Sequence, residues 1–155
     1  MRKCKNLIQF YWICQIKKVG VVGGGNVAAR KIKGLLAVGA DVTVVSPELN
    51  DKIDADSIHW INSRYAADYL KQMDLVFACT DDFEVNQRIK QEAKPFQLVN
   101  NTSNKHNSDF YNVAQINADD FMITISTYGA SPSASKQLKA KMLTWLKSQY
   151  PDERR

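Results

Sequence analysis

Three glycines near the start of the chain have the spacing of a phosphate-binding loop. In VVGGGNVAARK, Gly23, Gly25 and Ala28 fit the pattern G-x-G-x-x-G/A. In such a loop the first glycine permits a tight turn, and the second lets the backbone approach a pyrophosphate, while the small third residue packs a helix against a strand. A purely structural turn is the alternative interpretation. The residues predicted to contact a dinucleotide here are Gly23, Gly24, Gly25, Asn26 and Val27.

The segment after the next apolar run bears on which dinucleotide would bind. That run ends at Ser46, where NAD-binding domains often carry an acidic residue, and Glu48 lies two residues further on. Glu48 can reach a ribose hydroxyl. No Arg or Lys lies between Ser46 and Asp51 to hold a 2′-phosphate. The sequence therefore favours NAD over NADP as the cofactor.

The glycine loop belongs to a series of alternating strand-like and helix-like segments. Apolar, β-branched runs separated by helical patterns at intervals of 20 to 30 residues are typical of an open parallel sheet with helices on both faces. Gly39 is the predicted C-cap of the first helix. The predicted strands are 18–22, 41–45, 58–61, 74–79 and 96–99, and the predicted helices are 27–39 and 83–93.

The alternation of strand-like and helix-like segments stops after residue 100. Residues 100–108 are polar and predict a loop, whereas 121–126 predict a strand. A long helix is predicted over 132–149, with Ser131 as its N-cap. These features place a boundary near residue 112. They predict a Rossmann-like dinucleotide-binding domain over 1–112 and a small strand-plus-helix segment over 113–155.

Composition excludes several classes of protein. The chain has 155 residues, a net charge of +5 and three cysteines, Cys4, Cys14 and Cys79, with no C-x-x-C pair. This cysteine pattern argues against a disulfide framework or a zinc site and favours the reducing cytoplasm. No apolar run is long enough for a membrane span, and residues 1–18 predict an edge strand or an N-terminal arm rather than a signal peptide. No nucleic-acid-binding motif accompanies the basic charge.

Four stretches together resemble one enzyme family. They are VVGGGNVAARK at 21–31, VTVVSPEL at 42–49, ACTDDFEVNQRI at 78–89 and ITISTYGASPSASKQLKAKM at 123–142. The sequence is similar to the precorrin-2 dehydrogenase domain of siroheme synthases. The resemblance implies a homodimer that oxidises precorrin-2 to sirohydrochlorin with NAD. The segment after the Rossmann domain would form the dimer interface, and some members of the family also insert iron.

The resemblance also implies roles for individual residues. Pro47 and Glu48 would lie near the adenosine ribose, and Thr80 and Asp81 would lie at the cofactor, although Asp81 and Asp82 are also suited to capping the helix that follows. The cationic side chains suggested for substrate carboxylates are Lys105, His106, Lys136, Lys139 and Lys141. The residues implied in substrate binding are Asn100, Ser126, Thr127, Gly129 and Ser131.

One departure from the family pattern concerns catalysis. The family commonly has an aspartate, proposed as the general base, where this chain has Ser103. Serine is not a base at neutral pH without an activator. Asp109 or His106 can take its place, the proton can leave to water, or the chain can be a non-catalytic binding module. Ser103, His106 and Asp109 are therefore the candidate catalytic residues.

A second departure is the length of the chain. It stops at PDERR, whereas many single-function members of the family continue into a further helical region. The sequence leaves open whether it is a short member of the family or a truncated piece of a longer one.

Overall fold

A computed structural model of the chain describes residues 17–118, 121–127 and 131–149. These residues form two compact units, which cover 17–110 and 111–149. The predicted N-terminal edge strand or arm, with Cys4 and Cys14, lies outside the described residues, except for residues 17 and 18 at its end. Gly129, implied above in substrate binding, also lies outside them.

The first unit is built on a five-stranded parallel sheet with the order β3-β2-β1-β4-β5. The chain builds outward from β1 to β3, then crosses back to place β4 and β5 on the other side of β1. The loops after β1 and β4 therefore diverge at one edge of the sheet, which is where sheets of this type bind ligands. This arrangement confirms the predicted Rossmann-like α/β fold. The strands are β1 Lys18–Val22, β2 Asp41–Val45, β3 His59–Ile61, β4 Leu75–Ala78 and β5 Leu98–Asn101.

Two helices connect these strands and cover the sheet. Helix α1, Asn26–Leu36, buries Ala28, Ile32 and Leu35 on one face, as the helical spacing of these residues predicts. Gly39 adopts a φ of 71° just beyond the helix. Its N–H donates to Leu36 O, and the next N–H donates to Leu35 O, so Gly39 terminates the helix as predicted. Helix α2, Phe83–Glu92, follows β4.

Buried aliphatic side chains pack on both faces of the sheet. Val19, Val21 and Val44 are fully buried in the cluster that includes the apolar face of α1. A second cluster contains Val76 and Ile89, the latter from α2. The β-branched runs are buried on both sides, and this is why they are continuous rather than alternating with polar residues. The packing leaves the loops at the carboxyl ends of the strands to form the site.

The fifth strand differs from the prediction. It runs to Asn101, whereas the sequence predicted that it would end at Val99 and that a loop would begin at Asn100. Both asparagines are buried. The Asn100 amide donates to Phe110 O at 2.6 Å, and Asn101 Oδ1 accepts hydrogen bonds from the loop that follows. Since these side-chain groups have partners inside the unit, polar residues extend the strand here.

The second unit consists of a hairpin and a long helix. Strands β6, Ala114–Asn117, and β7, Met122–Ile125, pair antiparallel, and helix α3 spans Pro132–Gln149. Ile116, Ile125 and Leu146 form a small core between these elements. The sequence analysis found β7 and α3 but missed β6. No helix in the described ranges is long and apolar enough to cross a bilayer.

The start of helix α2 provides a test of the fold. Asp82 Oδ1 accepts from the backbone N–H groups of Glu84 and Val85 at 2.8 and 3.1 Å, so Asp82 is the N-cap. We expect Asp82→Ala to lower the free energy of unfolding by about 1 kcal/mol, since replacing an N-cap side chain with alanine costs roughly that amount. Urea denaturation measures the change.

Asp81→Ala is the matched control for this cap. Asp81 is exposed and precedes the capping residue, so its removal should change the free energy of unfolding by less than about 0.5 kcal/mol. Equal losses in the two variants would contradict the assignment of the cap to Asp82 alone.

Candidate functional site

A cavity of about 790 Å³ lies at the carboxyl edge of the parallel sheet. The loops after β1, β2, β3 and β4 line it, so four strands position its walls. All of the residues predicted to bind the cofactor line this cavity. They are Gly23, Gly24, Gly25, Asn26, Val27, Pro47, Glu48, Thr80 and Asp81.

The three glycines of the loop are required for different reasons. Gly23 has a φ of +106°, and a Cβ there would lie 2.6 Å from the carbonyl oxygen of Cys79. A Cβ on Gly24 would overlap the carbonyl oxygen of Glu48. A Cβ on Gly25 would meet no atom within 4 Å. The fold therefore needs the first two glycines, whereas Gly25 leaves open space that a ligand can fill.

Helix α1 points its N-terminus at this open space. Gly25 is the N-cap residue and provides no side chain to bond the first N–H groups of the helix. In any α-helix these N–H groups lack partners within the helix, and they carry the positive end of its dipole. Asn26 and Val27 begin the helix and line the cavity. The arrangement fits a pyrophosphate, with backbone donors and no side chain in its way.

The loop after β2 is hydrogen-bonded to the glycine loop and to the start of α1. Asn50 N–H donates to Gly24 O at 2.7 Å, and the buried Ser46 hydroxyl donates to Glu48 O at 2.7 Å. Asn26 Oδ1 accepts from Asn50 Nδ2 at 3.4 Å and from Lys52 Nζ at 3.3 Å. These bonds fix the backbone at Glu48, whose side chain is exposed at the cavity.

Asn86 of helix α2 is hydrogen-bonded to the loop after β4, which forms another wall of the cavity. It is fully buried, and its Oδ1 accepts from the backbone N–H and the hydroxyl of Thr80 at 3.1 and 2.8 Å. Its Nδ2 donates to Thr80 O at 2.9 Å and to Ser103 Oγ at 3.3 Å. Asn86 thus positions Thr80 at the cavity and ties the loop after β4 to the loop after β5. Asn86 lies in one of the four stretches that resemble the family, but sequence reasoning assigned it no role.

The candidate catalytic residues follow β5 and, within the described residues, do not line the cavity. Both carboxylate oxygens of Asp109 accept from Lys90 Nζ, at 2.7 and 2.8 Å, and one also accepts from Val99 N–H. The hydroxyl of Ser103 donates to Asn101 Oδ1 at 2.7 Å. The side chain of His106 is exposed. Asp109 therefore links α2 to β5, and His106 is the more accessible proton acceptor.

The turn before helix α3 uses its hydroxyls internally. Thr127 Oγ1 donates to Ser131 O at 3.0 Å and accepts from Ser131 N–H at 3.1 Å. Ser131 Oγ accepts from Ala134 N–H at 3.1 Å, which confirms Ser131 as the N-cap. These bonds give Thr127 and Ser131 a role in building the turn, and contact with a substrate remains a prediction for them and for Ser126.

Three residues in or near the cavity wall have shifted pKa values. Burial and a hydrogen bond to Glu92 raise the pKa of Tyr65. Burial raises the pKa of the Cys79 thiol to about 11, although nearby Lys31 opposes the shift. Burial also lowers the pKa of Lys31, whose ammonium lies 5.2 Å from the centre of the Phe77 ring. The Cys79 thiol stays protonated at neutral pH and is therefore a poor nucleophile. The described ranges contain no group of three or more His, Cys, Asp or Glu placed to hold a metal ion.

Sequence reasoning missed the contribution of the third strand to the cavity. Ser63, Arg64 and Tyr65 follow β3 and line the same cavity. The available signal was topological, because a strand paired in parallel with β2 ends at the same edge of the sheet. The segment between Ser46 and Asp51 has no Arg or Lys, and Arg64 lies well beyond it in the sequence.

Comparison with known proteins identifies the family. A family model described as putative NAD(P)-binding matches residues 10–114. A precorrin-2 dehydrogenase of Bacillus subtilis (strain 168) is 36% identical over 127 residues, covering 79% of this chain and 78% of that protein. The chain belongs to the precorrin-2 dehydrogenase family. Membership confirms the resemblance on which the sequence analysis relied, and with it an oxidoreductase family and a nicotinamide dinucleotide cofactor.

Two further matches agree with this membership of the precorrin-2 dehydrogenase family. A solved structure of SirC, a precorrin-2 dehydrogenase, aligns with a TM-score of 0.79 at 30% identity, covering 93% of this chain and 71% of that one. A siroheme synthase of Nitrosospira multiformis is 34% identical over 139 residues. The chain spans only 29% of that larger protein.

The open space at Gly25 provides a test of the cofactor site. We expect Gly25→Asp to weaken NADH binding at least about 100-fold, because juxtaposed like charges cost several kcal/mol and each 1.4 kcal/mol is tenfold in affinity. The thermal midpoint should change little, since a side chain there meets no atom within 4 Å. Fluorescence titration with NADH measures the affinity.

Gly34→Asp is the matched control for this titration. Gly34 lies within α1, and a Cβ there also meets no atom within 4 Å, but it does not line the cavity. The control should bind NADH as the unmodified chain does. If Gly25→Asp also keeps full affinity, the pyrophosphate does not bind at this loop.

Proposed function

We propose that this chain catalyses the NAD-dependent oxidation of precorrin-2 to sirohydrochlorin. The observation that carries the proposal is the open N-terminus of α1 at Gly25, which faces a cavity large enough for a dinucleotide. Membership of the precorrin-2 dehydrogenase family supplies the substrate and the reaction. Residues 1–112 would bind the cofactor, and residues 113–155 would provide dimerisation and substrate contacts.

The reaction removes two hydrogens from the reduced tetrapyrrole, one as a hydride and one as a proton. NAD, when bound, accepts the hydride. In this proposal the backbone N–H groups of Asn26 and Val27 hold the pyrophosphate, and the Glu48 carboxylate accepts from a ribose hydroxyl. Thr80, held by Asn86, and Asp81 form the wall after β4. The protein contributes orientation and electrostatics.

The proton needs a separate acceptor. Asp109 already accepts from Lys90 and from a backbone N–H, and Ser103 already donates to Asn101. His106 is exposed, and a neutral imidazole has one ring nitrogen that can accept a proton. Among Ser103, His106 and Asp109, we therefore favour His106 as the general base.

Charge supports the choice of substrate. Precorrin-2 carries eight carboxylates, and the chain has a net charge of +5, which favours encounter with a polyanion. The cationic contacts in the proposal are Lys105, Lys136, Lys139 and Lys141. The further substrate contacts carried over from the family are Asn100, Ser126, Thr127, Gly129 and Ser131.

A non-catalytic NAD- or tetrapyrrole-binding module is the second candidate. It is favoured by one observation, that the hydroxyl of Ser103 stands where the family pattern has a carboxylate. Such a module would bind NADH and convert no precorrin-2. Iron insertion into sirohydrochlorin is a further activity to be tested in the same experiment by adding Fe²⁺ after the oxidation is complete.

Anaerobic turnover decides between these functions. We expect NADH and sirohydrochlorin to form in equal amounts from precorrin-2 and NAD, followed by absorbance. His106→Ala should lower kcat about 100-fold, the lower end of the usual contribution of a general base. Asp109→Asn should lower the thermal midpoint while kcat stays within about threefold, because the Lys90 pair is structural.

Three results would change the proposal. NADH binding without any product would leave the non-catalytic module as the function. Full turnover in His106→Ala would show that His106 is not the base. A large loss of kcat in Asp109→Asn at unchanged stability would instead assign the proton to Asp109.

We also propose that the chain forms a homodimer and that the second unit provides the dimer interface. Helix α3 buries Leu146 on one face, but Leu138 and Trp145, seven residues apart, are 47% and 53% exposed. Residues at this spacing share a helix face, and an exposed apolar face is suited to a second copy of the chain.

The cytoplasm is the proposed compartment of the protein. The free, buried Cys79 is consistent with a reducing compartment.

The exposed face of α3 leads to a further prediction. We expect the chain to elute as a dimer in size-exclusion chromatography with light scattering, and Trp145→Glu to elute as a monomer. Lys139→Glu, a charge change on the same helix, should remain dimeric. A monomeric mass for the unmodified chain at high micromolar concentration would contradict the dimer.

A further inference from the structure

Arg64 is a cation in the cofactor cavity that has no role in the proposed reaction. It lies in the loop after β3 and lines the cavity together with Glu48. Its side chain is exposed. Among the residues that the structure describes, no carboxylate lies within ion-pair distance of its guanidinium. A guanidinium at the wall of a binding cavity without a protein anion is suited to an anion of the ligand.

The sheet places Arg64 at the adenosine end of the cavity. Strands β2 and β3 pair in parallel, with Val45 beside Ile61, so their following loops leave the same edge side by side. In dinucleotide-binding sheets the loop after β2 meets the adenosine ribose. Arg64 follows Ile61 by three residues and therefore reaches the cavity from the adenosine side.

Lys52, in the segment after β2, adds a second positive charge beside the cavity without lining it. Its ammonium donates to Asn26 Oδ1 at 3.3 Å, and Asn26 is the first residue of α1 and lines the cavity. Its backbone N–H is bonded to Asn50 Oδ1, which holds the segment in place. Lys52 directly follows the segment between Ser46 and Asp51 that has no Arg or Lys.

The end of β2 carries a serine in place of the acidic side chain that excludes a 2′-phosphate, and the nearest acidic residue, Glu48, lies two residues further on. Enzymes that select NAD place an acidic side chain there, which bonds the ribose hydroxyls and repels a phosphate. This chain has Ser46, which is buried with its hydroxyl committed to Glu48 O. Glu48 is exposed and carries one negative charge, against two positive charges from Arg64 and Lys52.

We propose that Arg64 and Lys52 form a phosphate-binding pair at the adenosine end of the cavity, so that the chain accepts NADP as well as NAD. This inference rests on the proposed function, because it concerns the same cofactor site. The two cations would contact the 2′-phosphate, which NAD lacks. Their removal should therefore weaken NADP binding selectively.

Titration of the intact chain with NADH and NADPH, followed by nucleotide fluorescence, tests the pair. We expect the two dissociation constants to lie within about tenfold of each other. Arg64→Ala and Lys52→Ala should each weaken NADPH binding about tenfold, as expected for a charge-assisted bond, and NADH binding less than threefold. Arg64→Lys should retain part of the NADPH affinity. Raising the salt concentration should weaken NADPH binding more than NADH binding.

Lys33→Ala is the matched control, since Lys33 is an exposed cation of α1 that does not line the cavity. It should leave both affinities unchanged. A gap larger than about tenfold in the unmodified chain, or equal losses for NADH and NADPH in the variants, would overturn the phosphate-binding pair while leaving the proposed NAD site intact. Failure to bind either nucleotide would overturn the proposed function as well.

Discussion

The close backbone contact between the glycine loop and the loop after β2 is the constraint on which the cofactor site depends. Asn50 N–H reaches Gly24 O at 2.7 Å, and any side chain at Gly24 would overlap Glu48 O. One contact therefore fixes two walls of the cavity, since it sets both the start of α1 and the path of the chain past Glu48. Gly25 is free of this constraint, and its position next to the fixed contact is what leaves room for a pyrophosphate at the helix N-terminus.

The wall after β4 depends on a buried amide in the same way. Asn86 is fully buried, and its amide atoms bond to Thr80 on one side and Ser103 on the other. A buried amide without partners is costly, so both loops must adopt the conformations that satisfy it. The hydrogen bonds of this one polar side chain in α2 therefore fix the positions of two loops, the loop after β4 and the loop after β5.

The parts of the fold that depend on strong local patterns were predictable from the sequence. The βαβ alternation, the glycine spacing and the end of α1 at Gly39 follow from residue types alone. Strand β6 was missed because only Ile116 of its four residues is both strongly apolar and buried. Arg64 was missed because its place at the cavity comes from the pairing of β3 with β2, which local spacing does not reveal.

The surroundings of Ser103 show why a serine suits this chain at a position where the family commonly has an aspartate. Asn101 Oδ1 accepts from the backbone N–H groups of Ser103 and Asn104, at 3.0 and 3.2 Å, which fixes the orientation of the amide. The serine hydroxyl donates a third hydrogen bond to the same oxygen. A carboxylate has no hydrogen to donate and would instead face that oxygen as a second acceptor. Asn101 Nδ2 is buried and has no partner among the described residues. An aspartate directed at this oxygen would therefore be accommodated only if the amide turned and gave up both backbone bonds. Ser103 is therefore part of the hydrogen-bonded framework of the loop, and the acceptor of the proton has to be sought elsewhere.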